Sequence, residues 1–522
     1  MRSSSDVVII GSGIGGGTLA RRLVQHGLTV TILERGDYLP QEPENWDVAA
    51  VFGKQRYVPQ EHWLDKNGTE FRPGTYYYVG GSSKMYGAAM LRLRESDFKE
   101  LEHAEGVSPA WPISYQQLAP YYTLAEQLYA VHGEASLDPT EPADIPDYPF
   151  PALEHEPVIA QVAFALSGQG IKPFPLPVAV QRHEGGPCLR CKTCDGFPCK
   201  VHAKTDAEIA AVRPALATGR LTLKTSAKAT RLVLSRDGRR VDAVEYETAE
   251  RLERIAAPVF VLSASAVNSA VLLLRSVCDK APNGVANSSG LVGRNYMAHN
   301  NTALMCIGWN VNSTMFQKTI CINDFYFGDE GFKYPMGNIQ GLGKLQTGML
   351  TAKQKYLPKF LGDRMAERSV DWWIMSEDLP DRENRVVLQG DRIGLHYSPN
   401  NLAGHRRLTE KAKMLMKKIG FRLNIAQYMG GLSVSHQCGT VRFGNDPRKA
   451  ALNEYCRSFD HENLFVVDAS FFPSSAAVNP ALTIAAQAIR VADHMAKNDF
   501  GVRGGFGGTE VTCRSSQDLA QP

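Results

Sequence analysis

Four consecutive apolar positions, Val7 to Ile10, run directly into Gly11-Ser12-Gly13-Ile14-Gly15-Gly16-Gly17-Thr18. An unbroken apolar run of this length reads as a strand buried on both faces. The glycines after it read as a tight turn, and Thr18 to about His26 as a helix. A second apolar strand, Thr29 to Leu33, ends in Glu34. The text then turns loop-like and aromatic through about Tyr78, broken by Pro40, Pro43, Pro59 and Pro73.

Farther on, Ser96-Asp-Phe and Trp111-Pro-Ile-Ser-Tyr115 carry helix-start signals, and Leu118 to about Val131 is an amphipathic helix. From about Glu134 to Gly186 the chain is rich in proline and acid, which predicts a surface excursion or a linker. Alternation between Leu221 and Glu247, with a turn at Asp237-Gly238, predicts an antiparallel meander. A buried strand returns at Val259 and an apolar helix follows from Asn268 to Arg275. A strand of the first kind after a meander implies that the first domain is discontinuous in sequence.

Residues 300–430 have another texture. Isolated strands (Ala303 to Cys306, Ile320 to Phe327, Arg385 to Leu388, Gly394 to Tyr397) surround a basic stretch, Gly341 to Arg368, that reads as a mobile loop or short helices. The adjacent Trp372 and Trp373 suit either a core or the apolar face of a ligand. Near the end, Asn463 to Val467 is a buried strand ending in Asp468, and Pro480 opens a helix to about Met495. The Gly- and Ser-rich tail from about Asp499 is expected to be disordered.

Length changes this picture little: 522 residues call for two or more domains. A net charge of +3 gives no electrostatic case for nucleic acid or an anionic membrane. No apolar run approaches the roughly 18 residues of a spanning helix. The glycine motif begins within about ten residues of Met1, which leaves no room for a cleavable signal peptide. A cytoplasmic location is the expectation, unless export follows a folded route on another subunit.

Candidate chemistry comes from five places. The strand–turn–helix–strand–acid order around Gly11, Gly13, Gly16 and Glu34 is the arrangement that binds a dinucleotide, with pyrophosphate on the helix N-terminus and ribose on the acid. Gly80-Gly81-Ser82-Ser83 suits either a backbone pressed against a flat ligand or a hairpin turn. Cys188, Cys191, Cys194 and Cys199 fall within twelve residues. That spacing fits neither a zinc ribbon nor a common ferredoxin run, so a metal centre stands beside local disulfides or reduced thiols stapling a loop. His436 follows Gly430-Gly431 and precedes Gly439-Thr440. Asn479 sits just ahead of the Pro480 helix.

The N-terminal glycine turn, Gly80-Gly81-Ser-Ser, Gly293-Arg-Asn295-Tyr-Met-Ala-His299 and the block from His436 to Met495 together resemble the flavin-dependent glucose–methanol–choline (GMC) oxidoreductases. The resemblance implies an α/β plus α+β architecture, a Rossmann-like FAD-binding domain interleaved with an antiparallel-sheet substrate domain. FAD-binding segments are then expected at 1–90, 200–300 and 431–500, with substrate-domain segments at 91–199 and 301–430 and a tail at 501–522. It also implies that Gly11, Gly13 and Gly16 hold the FAD pyrophosphate and Glu34 the ribose. Gly81 and Ser83 would lie along the isoalloxazine, Ala227 would meet the adenine, and Asp468 and Ala469 would sit by the pyrophosphate and ribityl chain. Asn479, Pro480 and Thr483 would bring a helix N-terminus to the flavin pyrimidine. His436 matches the catalytic histidine and Asn479 the second catalytic position. Met85 stands about where fungal pyranose oxidases attach the flavin to histidine, so noncovalent FAD is expected; no residue is assigned as a metal ligand. Residues 377–386, 397–401 and His405 resemble the bacterial sugar-oxidising branch, akin to pyranose and glycoside 3-oxidases. That implies a sugar or glycoside substrate, with O2 or a quinone as electron acceptor.

Overall fold

The computed structural model describes residues 5–142, 144–353, 356–430 and 436–502. Its organising layer is a five-stranded parallel sheet in the order Leu221–Lys224, Val30–Leu33, Val7–Ile10, Val259–Leu262, Leu464–Val466. Every residue of the three strands Val7–Ile10, Val30–Leu33 and Val259–Leu262 is buried, as continuous apolar runs require. The five strands come from three distant stretches of chain, 7–33, 221–262 and 464–466. The helix Ile14–Gln25 packs against the C-terminal helix Ala481–Asn498, and Arg22 clasps Asp493 with two hydrogen bonds of 2.6 and 3.0 Å.

The second layer is a six-stranded antiparallel sheet, ordered Leu423–Tyr428, Asn300–Ile307, Ser369–Ser376, Asn338–Gly341, Ile320–Ile322, Phe174–Pro175. Its strands alternate with period two. Leu304, Trp372, Ile374, Ile339 and Ile320 point to one face and pack under the helices Pro157–Ser167 and Leu402–Lys418. The register puts Asn301, Trp373, Gln340 and Cys321 on the opposite face. A sheet with one apolar, helix-covered face and one polar face has a side available for a ligand.

Several expectations need correction. The first helix starts at Ile14, not Thr18, so Gly15, Gly16 and Gly17 are helical. Glycine is a poor helix former, but close packing overrides that here. A β-carbon on Gly15 would lie 1.9 Å from the Val467 carbonyl oxygen, and one on Gly16 would lie 2.1 Å from that of Gly11. Leu221–Lys224 is not part of the meander but the edge of the parallel sheet; the antiparallel ribbon is Lys228–Leu234, Val241–Glu247 and Leu252–Ile255. The stretch 134–186 is no simple excursion. It contains a helix started by Pro157 and the buried segment Leu176–Val180, which bridges to Ala89. Within 341–368, by contrast, the short-helix alternative holds: the chain forms Thr347–Lys353 and Lys359–Arg368. The strands at 385–389 and 392–396 pair with Trp63–Asp65 and Glu70–Phe71 in a four-stranded sheet. Gly431 and Ser435 lie outside the described residues, as does the tail beyond Val502.

The Gly15 contact gives a direct test. Gly15→Ala is expected to destabilise the fold by about 1–3 kcal/mol or more, the usual cost of overpacking. It should lower both the melting temperature and the bound flavin per protein. Gly53→Ala, where nothing lies within 4 Å of the added carbon, should leave both unchanged.

Candidate active site

The Val7–Ile10 strand ends at Gly11, whose φ of +101° places it in a backbone region that favours glycine. A β-carbon there would also lie 2.2 Å from the Ser263 carbonyl oxygen. The chain turns and enters the Ile14–Gln25 helix with no side-chain cap at Gly13 and no acid in the first turn. The uncapped N–H groups and the positive dipole end therefore open into a cleft of about 1330 Å³, counting its solvent-open space. Of the residues expected to bind the cofactor, Gly11, Gly13, Glu34, Gly81, Ser83, Ala227, Asp468, Ala469 and Pro480 line this cleft.

Two do not. Gly16 sits one helical step behind the wall, where its missing side chain lets the helix rest on Gly11. Thr483 turns inward, with its hydroxyl 2.8 Å from that of Tyr122. Both were assigned from motif position, which cannot separate contact with a ligand from packing behind it.

The cleft walls are cross-linked. Glu34 Oε2 accepts from the Ser12 backbone N–H (3.0 Å) and hydroxyl (2.6 Å), and Oε1 accepts from the Gly36 N–H (2.9 Å). Burial pushes this carboxyl above its ordinary pKa, while those hydrogen bonds oppose the shift. The Ser12 hydroxyl also accepts from the Gly80 N–H at 3.0 Å, joining the first glycine turn to the second. Lys84, one residue past Ser83, is buried between Asp206 (2.9 Å) and Glu208 (2.6 Å). Burial works to lower its pKa, but the two carboxylates outweigh it and raise the value. Asp468 accepts from Ser269 Oγ at 2.5 Å and from the Ser470 N–H at 2.8 Å.

Beside Gln437, which lines the cleft, the chain brings His436 against His299. The segments carrying them pair antiparallel through Met297 and Cys438, with N–H···O contacts of 3.0 and 2.9 Å in the two directions. That register sets residues 299 and 436 directly opposite. Their Nδ1 atoms are 3.1 Å apart, with the rings at 87°. His299 Nε2 lies 3.0 Å from the Ser475 carbonyl oxygen, which only accepts. The proton of neutral His299 is therefore on Nε2, and its Nδ1 lone pair accepts the Nδ1–H of His436. This leaves His436 Nε2 as a bare lone pair with no hydrogen bond among the described residues. Burial, helped by His299 and Lys318, lowers His436 to a pKa of about 3, and burial also lowers His299. Both rings are thus neutral.

Four residues after Ser475, Asn479 Oδ1 accepts from Gln340 Nε2 at 2.9 Å. Pro480 is the cap of the C-terminal helix rather than its first residue; that helix has no side-chain cap and no acid in its first turn. His299 carried no role in the sequence reading, nor did Gln340 or Lys318. The signal for His299 was its place opposite His436, which appears only once the two segments are paired. Of the two tryptophans, Trp372 is core, whereas Trp373 lies on the polar sheet face and donates to Asn301 Oδ1 at 3.0 Å.

The four clustered cysteines are free thiols. Among the described residues no three His, Cys, Asp or Glu side chains are gathered so as to hold a metal ion. The buried Lys204 ammonium staples their loop by donating to the carbonyls of Tyr86 (2.8 Å), Cys194 (3.0 Å) and Phe197 (2.6 Å). Asp195 ties the same loop to Lys318 (2.7 Å) and to the Gly343 N–H (2.6 Å).

The GMC oxidoreductase family profiles match residues 5–301 at the N-terminal side and 397–488 at the C-terminal side. The chain belongs to the GMC oxidoreductase family. It is 32% identical to the paromamine 6'-oxidase of Streptomyces fradiae, over 94% of this chain and 91% of that one. It is 27% identical to the fructose dehydrogenase large subunit of Gluconobacter japonicus, over 94% and 97%. Pyridoxine 4-oxidase from Mesorbium loti shares the fold, with a TM-score of 0.66 at 19% identity, over 94% of this chain and 99% of that one. This GMC enzyme is therefore an FAD-dependent oxidoreductase acting on CH–OH donors. The cleft fits FAD, having an uncapped helix N-terminus, a glycine turn whose side chains would clash, and length enough to reach Pro480. Among the described residues no helix is long and apolar enough to cross a membrane.

Among the described residues neither histidine nor cysteine lines the cleft, and Met85 is buried with Leu39, Val51, Tyr57 and Phe197. Acid precipitation is expected to release the yellow colour into the supernatant. Colour that stays with the pellet would mean a covalent bond.

Proposed function

We propose that this chain oxidises pyranose sugars or glycosides at a secondary ring hydroxyl, carbon 2 or 3. The products would be a ketosugar and, with O2 as acceptor, H2O2. The observation that carries the reading is the hydrogen-bonded series Ser475 carbonyl, His299, His436, which leaves the His436 Nε2 lone pair without a partner among the described residues. The sugar class is supported by relatives named for paromamine and fructose.

FAD, when bound, supplies the acceptor for the hydride. His436 Nε2 takes the hydroxyl proton, and Asn479, held by Gln340, presents its Nδ2–H groups to the same oxygen. A base with so low a pKa does not ionise an alcohol beforehand. It takes the proton as the C–H bond breaks, when the oxygen becomes a carbonyl and the proton's acidity rises. The uncapped helix N-terminus at Pro480 favours negative charge at that end of the cleft. The similarity to a fructose dehydrogenase subunit favours a second reading, in which a quinone or electron-transfer partner takes the place of O2.

A panel of sugars and glycosides, assayed for peroxide with and without a quinone, tests the reading. One peroxide per ketosugar is expected without quinone. Turnover only with quinone selects the dehydrogenase, and turnover of no sugar overturns the substrate class.

His436→Ala is expected to slow substrate-driven bleaching of the flavin by roughly 10²- to 10⁴-fold. The pH dependence follows from the lowered pKa of His436, which is protonated only as pH falls toward about 3. Stopped-flow rates of that bleaching should be level from pH 5 to 8, falling only on the acid side. An inflection near 6.5, the ordinary histidine value, would show that burial does not lower the ring's pKa.

A further inference from the structure

Gln340 lies on the polar face of the six-stranded sheet, in register with Trp373 on one side and Cys321 on the other. Its side chain is wholly buried, at 0% exposure. Its Nε2 donates to Asn479 Oδ1 at 2.9 Å, yet its Oε1 has no hydrogen-bond partner among the described residues. The two amides touch through a single contact. Had they closed into a doubly bonded pair, Asn479 Nδ2 would satisfy Gln340 Oε1 and neither would be left for a ligand. The open arrangement leaves a donor, Asn479 Nδ2, and an acceptor, Gln340 Oε1, side by side. A buried acceptor without a partner is costly, and beside the proposed reaction site a substrate hydroxyl can supply the missing donor.

We infer that Gln340 is the specificity-determining residue of this site, its Oε1 accepting a hydrogen bond from the hydroxyl on the carbon next to the one oxidised. The enzyme is thereby selective for vicinal diols over isolated alcohols. The inference rests on the proposed reaction at His436 and Asn479. The oxygen to be oxidised meets Asn479 Nδ2, and the neighbouring hydroxyl, which keeps its own proton, donates to Gln340 Oε1. Trp373 stands beside this pair with its indole N–H already committed to Asn301, so its ring offers an apolar wall to the C–H side of the substrate. Gln340 has a second effect as a positioning residue: by occupying Asn479 Oδ1 it turns Nδ2 toward the substrate.

The test compares the holoenzyme with Gln340→Met and Gln340→Glu on matched substrates. These are cyclohexanol against trans-cyclohexane-1,2-diol, and the best sugar of the panel against its analogues deoxygenated at each carbon next to the oxidised one. Wild type should prefer each diol by roughly tenfold or more in kcat/KM, since a site built around a hydroxyl rejects the analogue that lacks it. In Gln340→Met that preference should collapse to below threefold, with a raised KM for the diol. In Gln340→Glu, which keeps an acceptor but loses the donor to Asn479, the preference should survive while kcat falls. A merely structural role would lower all rates together and leave the ratios alone. Equal use of diol and mono-alcohol by wild type overturns the inference, as does a preference that persists in Gln340→Met or vanishes in Gln340→Glu. If Gln340→Met does not fold, the wild-type ratio and Gln340→Glu still decide. Preference for the cyclic diol without turnover of any sugar would sink the sugar reading and keep this one. Oxidation of a sugar and its deoxy analogues at equal rates would do the reverse, and inertness toward every substrate overturns both.

Discussion

The first turn of the N-terminal helix rests on the chain just after the last parallel strand, with no side chain between them. Gly15 meets the Val467 carbonyl there, and an alanine would not fit. This contact joins the stretch that shapes the phosphate end of the cleft to the stretch that continues through Asp468 and Ser475 to Asn479. Ser263 reinforces the joint by donating to the same carbonyl at 2.7 Å. The chemistry depends on this closeness, because the ring-binding and proton-handling groups belong to segments that share no local sequence. The glycines are therefore best understood as packing residues first. Their helical propensity is poor, and the sheet–helix contact outweighs it.

The second constraint is the direction of protons along the buried histidine pair. Two neutral imidazoles facing each other through their Nδ1 atoms can bond only if one donates and the other accepts. The Ser475 carbonyl decides which, since it can only accept. His299 is therefore read through a backbone oxygen seven residues after Asp468, and its tautomer sets that of His436 in turn. Asp378 holds the backbone on which this rests. It accepts the Ala298 and His299 N–H groups at 3.0 and 2.9 Å, and the Tyr397 hydroxyl at 2.8 Å. Burial raises the Asp378 pKa while His299 opposes that rise.

Much of this was legible in the sequence because it is local. Continuous apolar runs gave the parallel strands, and the glycine turn with Glu34 gave one end of the cleft. The C-terminal block gave His436 and Asn479 by resemblance. What stayed hidden depended on pairing between distant segments. Leu221–Lys224 alternates like the ribbon it precedes, and nothing local says that its neighbour is Val30–Leu33. Thr483 and Gly16 occupy motif positions, yet one turns to Tyr122 and the other packs behind the wall. His299 and Gln340 look like any buried polar residue until the register places one opposite His436 and the other beside Asn479.

The division of labour between the two sheets follows from their strand types. The parallel sheet is buried on both sides, so its ligand can lie only beyond the strand ends, where Gly11, Glu34 and Ser263 sit. The antiparallel sheet has a free face because its helices cover only one side. Polar side chains on that face meet groups from several segments, Gln340 meeting Asn479 and Asn338 meeting Asn323, which reaches Asp138. Their hydrogen bonds cannot all be met within the sheet, and Gln340 Oε1 and Asn338 Oδ1 remain unpaired as a result. On this face Asn301 donates to the His299 backbone carbonyl at 3.2 Å, so Gln340 rather than Asn301 is the position where substrate preference can change with least effect on the histidine pair. A substitution at Gln340 reaches the proton-handling groups through a single contact, with Asn479, whereas one at Ser12 or Ser475 alters how the whole cleft is closed.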